Sequence, residues 1–170
     1  MIKAGLIGNT ILASCNAAFA AYEKSNYGEK IGNKIEFSPI ESIFLIEEGK
    51  MQLFLNSKKI SAEYLIKKTR KTDKRIEIKL AAFRDLRKKG YVLKSGLKFG
   101  SDFRVYDKGS KPKDAHARWL LSVVKYSESI DWHDFAAKNR ISHSTKKNLL
   151  IAIVDSESSV SYYEFNWLKL

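Results

Sequence analysis

The segment Leu149-Leu-Ile-Ala-Ile-Val154 is an unbroken apolar run without a charge. It is far too short to cross a bilayer and too uniformly apolar to keep one face in water, so it reads as a strand buried on both faces inside a sheet. The neighbouring sequence supplies the rest of an α+β unit. Ile76, Leu80, Phe83 and either Leu86 or Arg87 fall on one face of a helix from about 75 to 89, closed by a basic last turn and a glycine at Lys89-Gly90. Tyr91–Leu93, Phe103–Tyr106 and Trp119–Tyr126 are rich in β-formers and separated by Gly, Ser, Pro and Asp, which predicts three strands. Asp131–Lys138 has a helical pattern with Trp132, Phe135 and Ala136 on one side. Val160–Leu168 is a last strand after the turn Asp155–Ser159.

The first seventy residues read differently. Ile2–Ile7 and Thr10–Ala13 flank Gly8-Asn9, the pattern of two strands joined by a turn. Ser38, Pro39 and Glu41 stand where an N-cap, a first helical residue and the reciprocal acid of a capping box belong, and Gly49 ends that helix. Met51–Leu55 is a further short strand or turn of helix, and Ser61–Lys68 another short helix. Lys67 to Arg75 is a charged interruption of the core pattern. The domain boundary is placed there, giving an N-terminal α+β domain over 1–74 and a C-terminal domain over 75–170.

Charge narrows the class of partner. The 31 Lys and Arg exceed the 19 Asp and Glu by 12, while 44% hydrophobic residues suffice for a packed core. A folded, strongly basic chain of this kind is expected to meet a polyanion. No apolar run has membrane-spanning length, and Met1–Gly8 does not resemble a signal peptide, so a cytoplasmic protein without a membrane association is expected. Cys15 is the only cysteine, which excludes an intramolecular disulfide. Three histidines offer no metal-ligand cluster of the usual spacing, and neither a GxxxxGK[ST] loop nor a GxSxG elbow is present. No metal and no cofactor are expected.

What remains for chemistry is Tyr, His and Lys. Lys94 to Tyr106 mixes lysines, glycines and aromatics, a composition suited to following a nucleic-acid backbone. His116 follows a polar loop at the entrance to a strand, where an imidazole can be partly exposed and take part in proton transfer. Lys147 stands directly before the apolar strand. Taken singly, Tyr106 reads as a half-buried sheet residue, His116 as a loop histidine, Lys147 as a solvated charge and Trp167 as an edge-strand core residue.

Taken together these residues resemble the archaeal tRNA-splicing (tRNA-intron) endonucleases, in their catalytic type of subunit. The resemblance rests on Lys94-Ser-Gly-Leu-Lys-Phe-Gly-Ser-Asp-Phe-Arg-Val-Tyr106, His116, Arg140-Ile-Ser-His-Ser-Thr-Lys-Lys147 and Leu149–Asp155 with Tyr162-Tyr163. It is strong over residues 75 to 170, whereas the N-terminal part matches only by size and by its opening strand pair. It implies a small α+β N-terminal domain and a C-terminal mixed sheet flanked by two helices. It also implies that Tyr106, His116 and Lys147 are the catalytic residues, separated by 10 and 31 positions.

The resemblance implies precursor tRNA as substrate, cut at bulge-helix-bulge intron junctions without a metal. Such a cut uses the adjacent 2′-hydroxyl as nucleophile and leaves a 2′,3′-cyclic phosphate and a 5′-hydroxyl. It needs a base, an acid and a cation beside the pentacoordinate phosphorane. Tyr106 is implied as the base, or as the group that orients the 2′-hydroxyl if His116 carries more of the proton transfer. His116 is the acid and Lys147 the cation. Arg140 and Trp167 match the flat side chains that hold a flipped-out base, and Asp155 and Glu157 match an acidic loop that docks on an opposing subunit. His133 and His143 are read as structural. Two cuts per intron require two active sites at a fixed separation. The implied assembly is a heterotetramer with a non-catalytic structural subunit or a homotetramer. Two rivals stay open: a non-catalytic RNA-binding or structural subunit, and a DNA nuclease, whose metal would need carboxylates beyond Asp102 and Asp107.

Overall fold

A computed structural model describes residues 1–168 and Leu170; Lys169, in the tail that carries Trp167, lies outside the described residues. The chain divides into two compact units, Met1–Glu77 and Ile78–Leu170.

The first unit contains β1 (Ile2–Ile7), β2 (Thr10–Ala13), α1 (Asn16–Ser25), β3 (Glu29–Ile31), β4 (Lys34–Phe37), α2 (Pro39–Glu47), β5 (Met51–Leu55), β6 (Lys58–Ile60) and α3 (Ala62–Arg70). Its strands form one mixed sheet in the order β3-β4-β2-β1-β5-β6, with β1 and β5 parallel. The capping box at the start of α2 is present. The Ser38 hydroxyl accepts from the Glu41 amide at 3.3 Å, and Glu41 Oε2 accepts from the Ser38 amide at 3.0 Å. Glu41 is buried, and its other carboxylate oxygen accepts from the Gly28 amide at 3.0 Å, so one side chain caps a helix and ties down the loop before β3. Helix α1 and the β3–β4 hairpin go beyond the elements read from sequence. The hairpin turns on Gly32-Asn33, with Ile31 opposite Lys34 and Gly32 at φ 56°, a two-residue loop whose geometry favours glycine.

The second unit follows on α4 (Ile76–Lys88) with β7 (Val92–Ser95), a single helical turn at Leu97–Phe99, β8 (Phe103–Tyr106), β9 (Trp119–Lys125), α5 (Trp132–Ser144), β10 (Asn148–Val154) and β11 (Val160–Phe165). The sheet order is β11-β10-β9-β8-β7. β9 and β10 are parallel and the other pairs antiparallel, and a parallel pair needs a crossover, which α5 provides. The apolar run is therefore an inner strand, as its composition predicts, with Leu149 to Ala152 all buried. The whole chain is a mixed α+β fold with two mixed sheets and five α-helices among the described residues.

Two predicted boundaries are corrected. The helix expected over 131–138 continues to Ser144, because Ser142 buries completely and its hydroxyl donates to the Lys138 carbonyl at 3.0 Å, while the Thr145 hydroxyl closes the end on Ile141 O at 2.8 Å. The last strand ends at Phe165, where its pairing with Leu149 ends, so Trp167 lies beyond the sheet edge. No helix among the described residues is long and apolar enough to cross a membrane.

The sheet topology brings three chain-distant positions to one end. Val105 pairs with Trp119, and Trp119 pairs in turn with Asn148. The residues one step beyond that row are Tyr106 at the end of β8, Arg118 before β9 and Lys147 before β10. The backbone hydrogen bonds confirm the row: Arg118 N donates to Val105 O at 2.9 Å, and Asn148 N donates to Arg118 O at 3.0 Å.

Candidate active site

A pocket of about 240 Å³ opens at that end of the sheet. Tyr106, His116 and Lys147 all line it, together with Phe99, Arg104 and the loop Pro112–Ala117. The topology thus gathers into one concavity the residues that the sequence separates by 10 and 31 positions.

Each of the three is held differently. The Tyr106 ring is only 3% exposed and packs with Val92 and Ala117, yet its hydroxyl makes no hydrogen bond among the described residues. A buried ring with an open phenol is rigid in position and free in chemistry, since strand packing fixes the ring while the pocket receives the polar end. His116 is exposed on the loop before β9, and neither ring nitrogen has a partner among the described residues. Lys147 is half-buried. Lys146 before it has a left-handed backbone, φ 56°, and Lys147 N donates to Ser142 O at 2.8 Å, a turn that swings the chain from α5 into β10. Its ammonium donates to the Thr145 carbonyl at 2.9 Å and lies 5.4 Å from the centre of the Phe99 ring, with no carboxylate partner among the described residues. Of three ammonium protons, one is used within the protein.

The loop that delivers Phe99 is built tightly. A side chain at Gly96 would collide with Ser101 Oγ and meet backbone atoms of Ser101 and Phe103 at 2.8 and 2.9 Å, so only glycine fits there. Gly96 N donates to Asp102 O at 3.2 Å, and Asp102 N donates to Leu121 O at 2.9 Å. The Asp102 carboxylate accepts from the Val123 amide at 2.8 Å and pairs with Lys79 at 3.2 Å, both side chains being largely shielded from water. Asp102 is therefore a brace of the loop. Asp107 pairs with Arg118 at 3.4 Å, and the Arg118 guanidinium lies over the Trp119 ring at 4.3 Å. Neither acid lines the pocket, so they do not form the carboxylate set that a metal-dependent nuclease would require.

The remaining sequence-selected residues fall outside the pocket. Arg140 is exposed on α5, and its guanidinium has no partner among the described residues. Three positions on, His143 stacks on Trp167, with ring centres 5.3 Å apart and planes at 25°. Residues three apart are neighbours on a helix surface, so His143, read from sequence as structural, links Trp167 to the Arg140 face of α5. Asp155 and Glu157 part company. Asp155 Oδ1 accepts from the amides of Glu157 and Ser159 at 2.9 and 2.8 Å and so builds the β10–β11 turn, whereas the exposed Glu157 carboxylate has no partner among the described residues. Asp131, His133 and Asp134 do cluster at the start of α5. All three are exposed, and acids in a first helical turn are accounted for by the helix dipole.

Two pocket residues, Phe99 and Arg104, were quoted within a sequence motif but given no role. The available signal was the alternation of β8, which puts Arg104 on the same face as Tyr106. The contact of Phe99 with Lys147 had no local signal.

Comparison with known proteins covers both units. Residues 76–162 match the family described as tRNA intron endonuclease, catalytic C-terminal domain, and residues 2–66 match tRNA intron endonuclease, N-terminal domain. Among curated relatives, a tRNA-splicing endonuclease of Thermococcus onnurineus is 38% identical over 148 residues, spanning 87% of this chain and 85% of its own. One from Nanoarchaeum equitans is 38% identical over 153 residues, 84% of this chain and 98% of its own. Another, from Methanothermobacter thermautotrophicus, is 30% identical over 167 residues, 97% of each chain.

Proposed function

We propose, from the premise that this chain belongs to the tRNA intron endonuclease family, that it is the catalytic subunit of a cytoplasmic endonuclease cutting precursor tRNA at bulge-helix-bulge intron junctions. One observation carries the catalytic assignment: Tyr106, His116 and Lys147 line a single pocket. Their phenol and imidazole have no partners among the described residues, and the ammonium keeps unused donors.

The reaction assigned to them needs no metal. Tyr106 as the phenolate takes the proton of the ribose 2′-hydroxyl and becomes the phenol, or as the phenol orients that hydroxyl while His116 assists. The 2′-oxygen then bonds to the adjacent phosphorus. As the bond from phosphorus to the 5′-oxygen breaks, His116 delivers a proton to the leaving oxygen. Lys147 stands against the negative charge that accumulates on the phosphorane oxygens, where a fixed cation in a partly dry pocket acts most strongly. The products are a 2′,3′-cyclic phosphate and a 5′-hydroxyl, which balances the proton removed against the proton given.

Arg140 and Trp167 are assigned to the flipped base, whose faces a guanidinium and an indole stack on with about 1–3 kcal/mol per contact. The assembly is proposed as a heterotetramer with a non-catalytic subunit, docked in part through the turn of Asp155 and Glu157. Because Asp155 shapes that turn from within, Glu157→Lys tests docking without rebuilding the loop. Sedimentation should resolve smaller species with the partner absent from the complex. An unchanged profile removes Glu157 from docking, and a full-sized particle from this chain alone replaces the heterotetramer with a homotetramer.

The deciding experiment is single-turnover cleavage of a bulge-helix-bulge RNA in EDTA, with analysis of the new ends and a control carrying 2′-deoxyribose at the cut. Cyclic phosphate ends and an inert deoxy control are expected. Cleavage of the deoxy substrate at the normal rate would sink the mechanism.

A further inference from the structure

The rim of the pocket holds an arrangement that extends beyond the catalytic trio and shares only Lys147 with it. Two cations lie against the half-buried ring of Phe99: the Lys147 ammonium at 5.4 Å from the ring centre and the Arg104 guanidinium carbon at 5.9 Å. Arg104 comes from β8, and Lys147 from the turn before β10. Each is pinned by one backbone carbonyl, Arg104 Nε donating to Ser95 O at 2.8 Å and Lys147 Nζ to Thr145 O at 2.9 Å. Neither meets a carboxylate among the described residues. The terminal amino groups of Arg104 and two ammonium protons of Lys147 are left without acceptors. The one acid lining the pocket, Asp114, is exposed and has no ion-pair partner among the described residues.

Two like charges held beside one ring oppose each other, and their side chains lose freedom in being pinned. The attraction of each cation to the ring face offsets part of that cost. An arrangement of this kind has a function if an anion with two separated charges completes it. A polynucleotide backbone supplies such charges at a regular spacing, and a guanidinium presents the planar fork that suits phosphate oxygens. We propose that Phe99, Arg104 and Lys147 form a seat for two neighbouring phosphates of the RNA backbone, Lys147 at the phosphate that is cut and Arg104 at the one beside it. This rests on the function proposed above. Phe99 is then a positioning residue, which fixes the spacing of the two cations through its ring.

The test is equilibrium binding of the full chain, in its assembled form, to a bulge-helix-bulge RNA blocked by 2′-deoxyribose at the cut, measured across a salt series. Loss of one phosphate contact lowers the slope of log affinity against log salt by about 0.7 to 0.9. Arg104→Gln should show that decrease, together with weaker binding at low salt. Phe99→Leu should lower the slope as well, and Phe99→Tyr, which keeps the ring, should restore it. A wild-type slope in Arg104→Gln overturns the seat, as does a slope in Phe99→Tyr that falls as far as in Phe99→Leu. The two readings fail separately. If the wild type cuts the all-ribose RNA while Arg104→Gln keeps the full slope, only the seat falls. If Arg104→Gln loses the slope but the wild type leaves the all-ribose RNA uncut, the seat stands and the proposed activity falls.

Discussion

At the pocket of the C-terminal unit, Tyr106 and His116 keep their polar atoms without partners among the described residues, whereas Asp85 and Lys79 of α4 are tied down, one by Tyr162 of β11 and the other by Asp102. Asp85 accepts from the Tyr162 hydroxyl and from the Lys89 ammonium, each at 2.7 Å, and Lys89 also lies 5.2 Å from the centre of the Tyr162 ring. Lys79 pairs with Asp102, which in turn holds the Val123 amide. The second set satisfies what folding requires of shielded polar groups, and the first leaves capacity for a substrate to fill. Substitutions in the two sets should therefore separate activity from stability.

The sharpest separation is expected at His116. His116→Ala should lower single-turnover cleavage by about 10²–10⁴-fold, the range for losing a general acid. Because the side chain is exposed and unpartnered among the described residues, its unfolding free energy should stay within about 0.5 kcal/mol of wild type. Cleavage within threefold of wild type would remove His116 from the mechanism. Tyr106→Phe should behave alike with a smaller loss, since the ring that packs with Val92 and Ala117 is retained and only the hydroxyl goes. A normal cleavage rate in that variant would leave the hydroxyl neither basic nor orienting.

Asp102→Ala should reverse the pattern, acting on stability first. It removes the acceptor of the Val123 amide and leaves Lys79 without this pairing at a site where the two side chains are 19% and 10% exposed. A cost of about 2–4 kcal/mol is expected in denaturant unfolding. Cleavage should fall only as the loop bearing Phe99 loosens. A variant as stable as wild type but inactive would place Asp102 among the reacting groups and erase the distinction between the two sets.

What the sequence disclosed divides along the range of the signal. The inner strand β10, the amphipathic stripe of α4 and the capping box of Ser38 and Glu41 are written in residues at most a few positions apart, and each formed as read. Helix α1 is poor in such signals, with Ala18 its one buried residue. The β3–β4 hairpin carried legible cues in Gly32-Asn33 and in the alternation of Lys34-Ile-Glu-Phe37, whose Ile35 and Phe37 are buried, but its strands are only three and four residues long and β3 is exposed throughout, too short a pattern to mark a strand pair. Trp167 left the strand because pairing stops at Phe165, a limit set by the partner strand. The candidate site was legible in Tyr106, His116 and Lys147 through a family resemblance. The brace at Asp102, whose acceptor contact spans 21 residues, and the ring of Phe99 under Lys147 exist only once the sheet is assembled.

The smallest expected effect lies in the tied set, at Tyr162, and it carries a pH signature. Burial, and with it the hydrogen bond to Asp85 and the charge of Asp85, push the Tyr162 phenol well above its ordinary value near 10. The folded chain therefore holds this proton more tightly than the unfolded chain does. That contribution to stability is fully present below about pH 10, where both states are protonated, and declines above it as the unfolded state alone begins to ionise. Tyr162→Phe keeps the ring beneath Lys89 and removes the hydroxyl, so it should cost about 1–2 kcal/mol at neutral pH, toward the low end for a bond to a carboxylate because the side chain is partly exposed. As pH rises past 10 the wild type should lose stability faster than the variant, and the gap between them should close. Unfolding by denaturant at pH 7, 9, 10 and 11 measures it, with cleavage at neutral pH expected unchanged. A gap that stays constant over that range would mean the phenol ionises alike in both states, and the bond to Asp85 would then add nothing to the hold of α4 on β11.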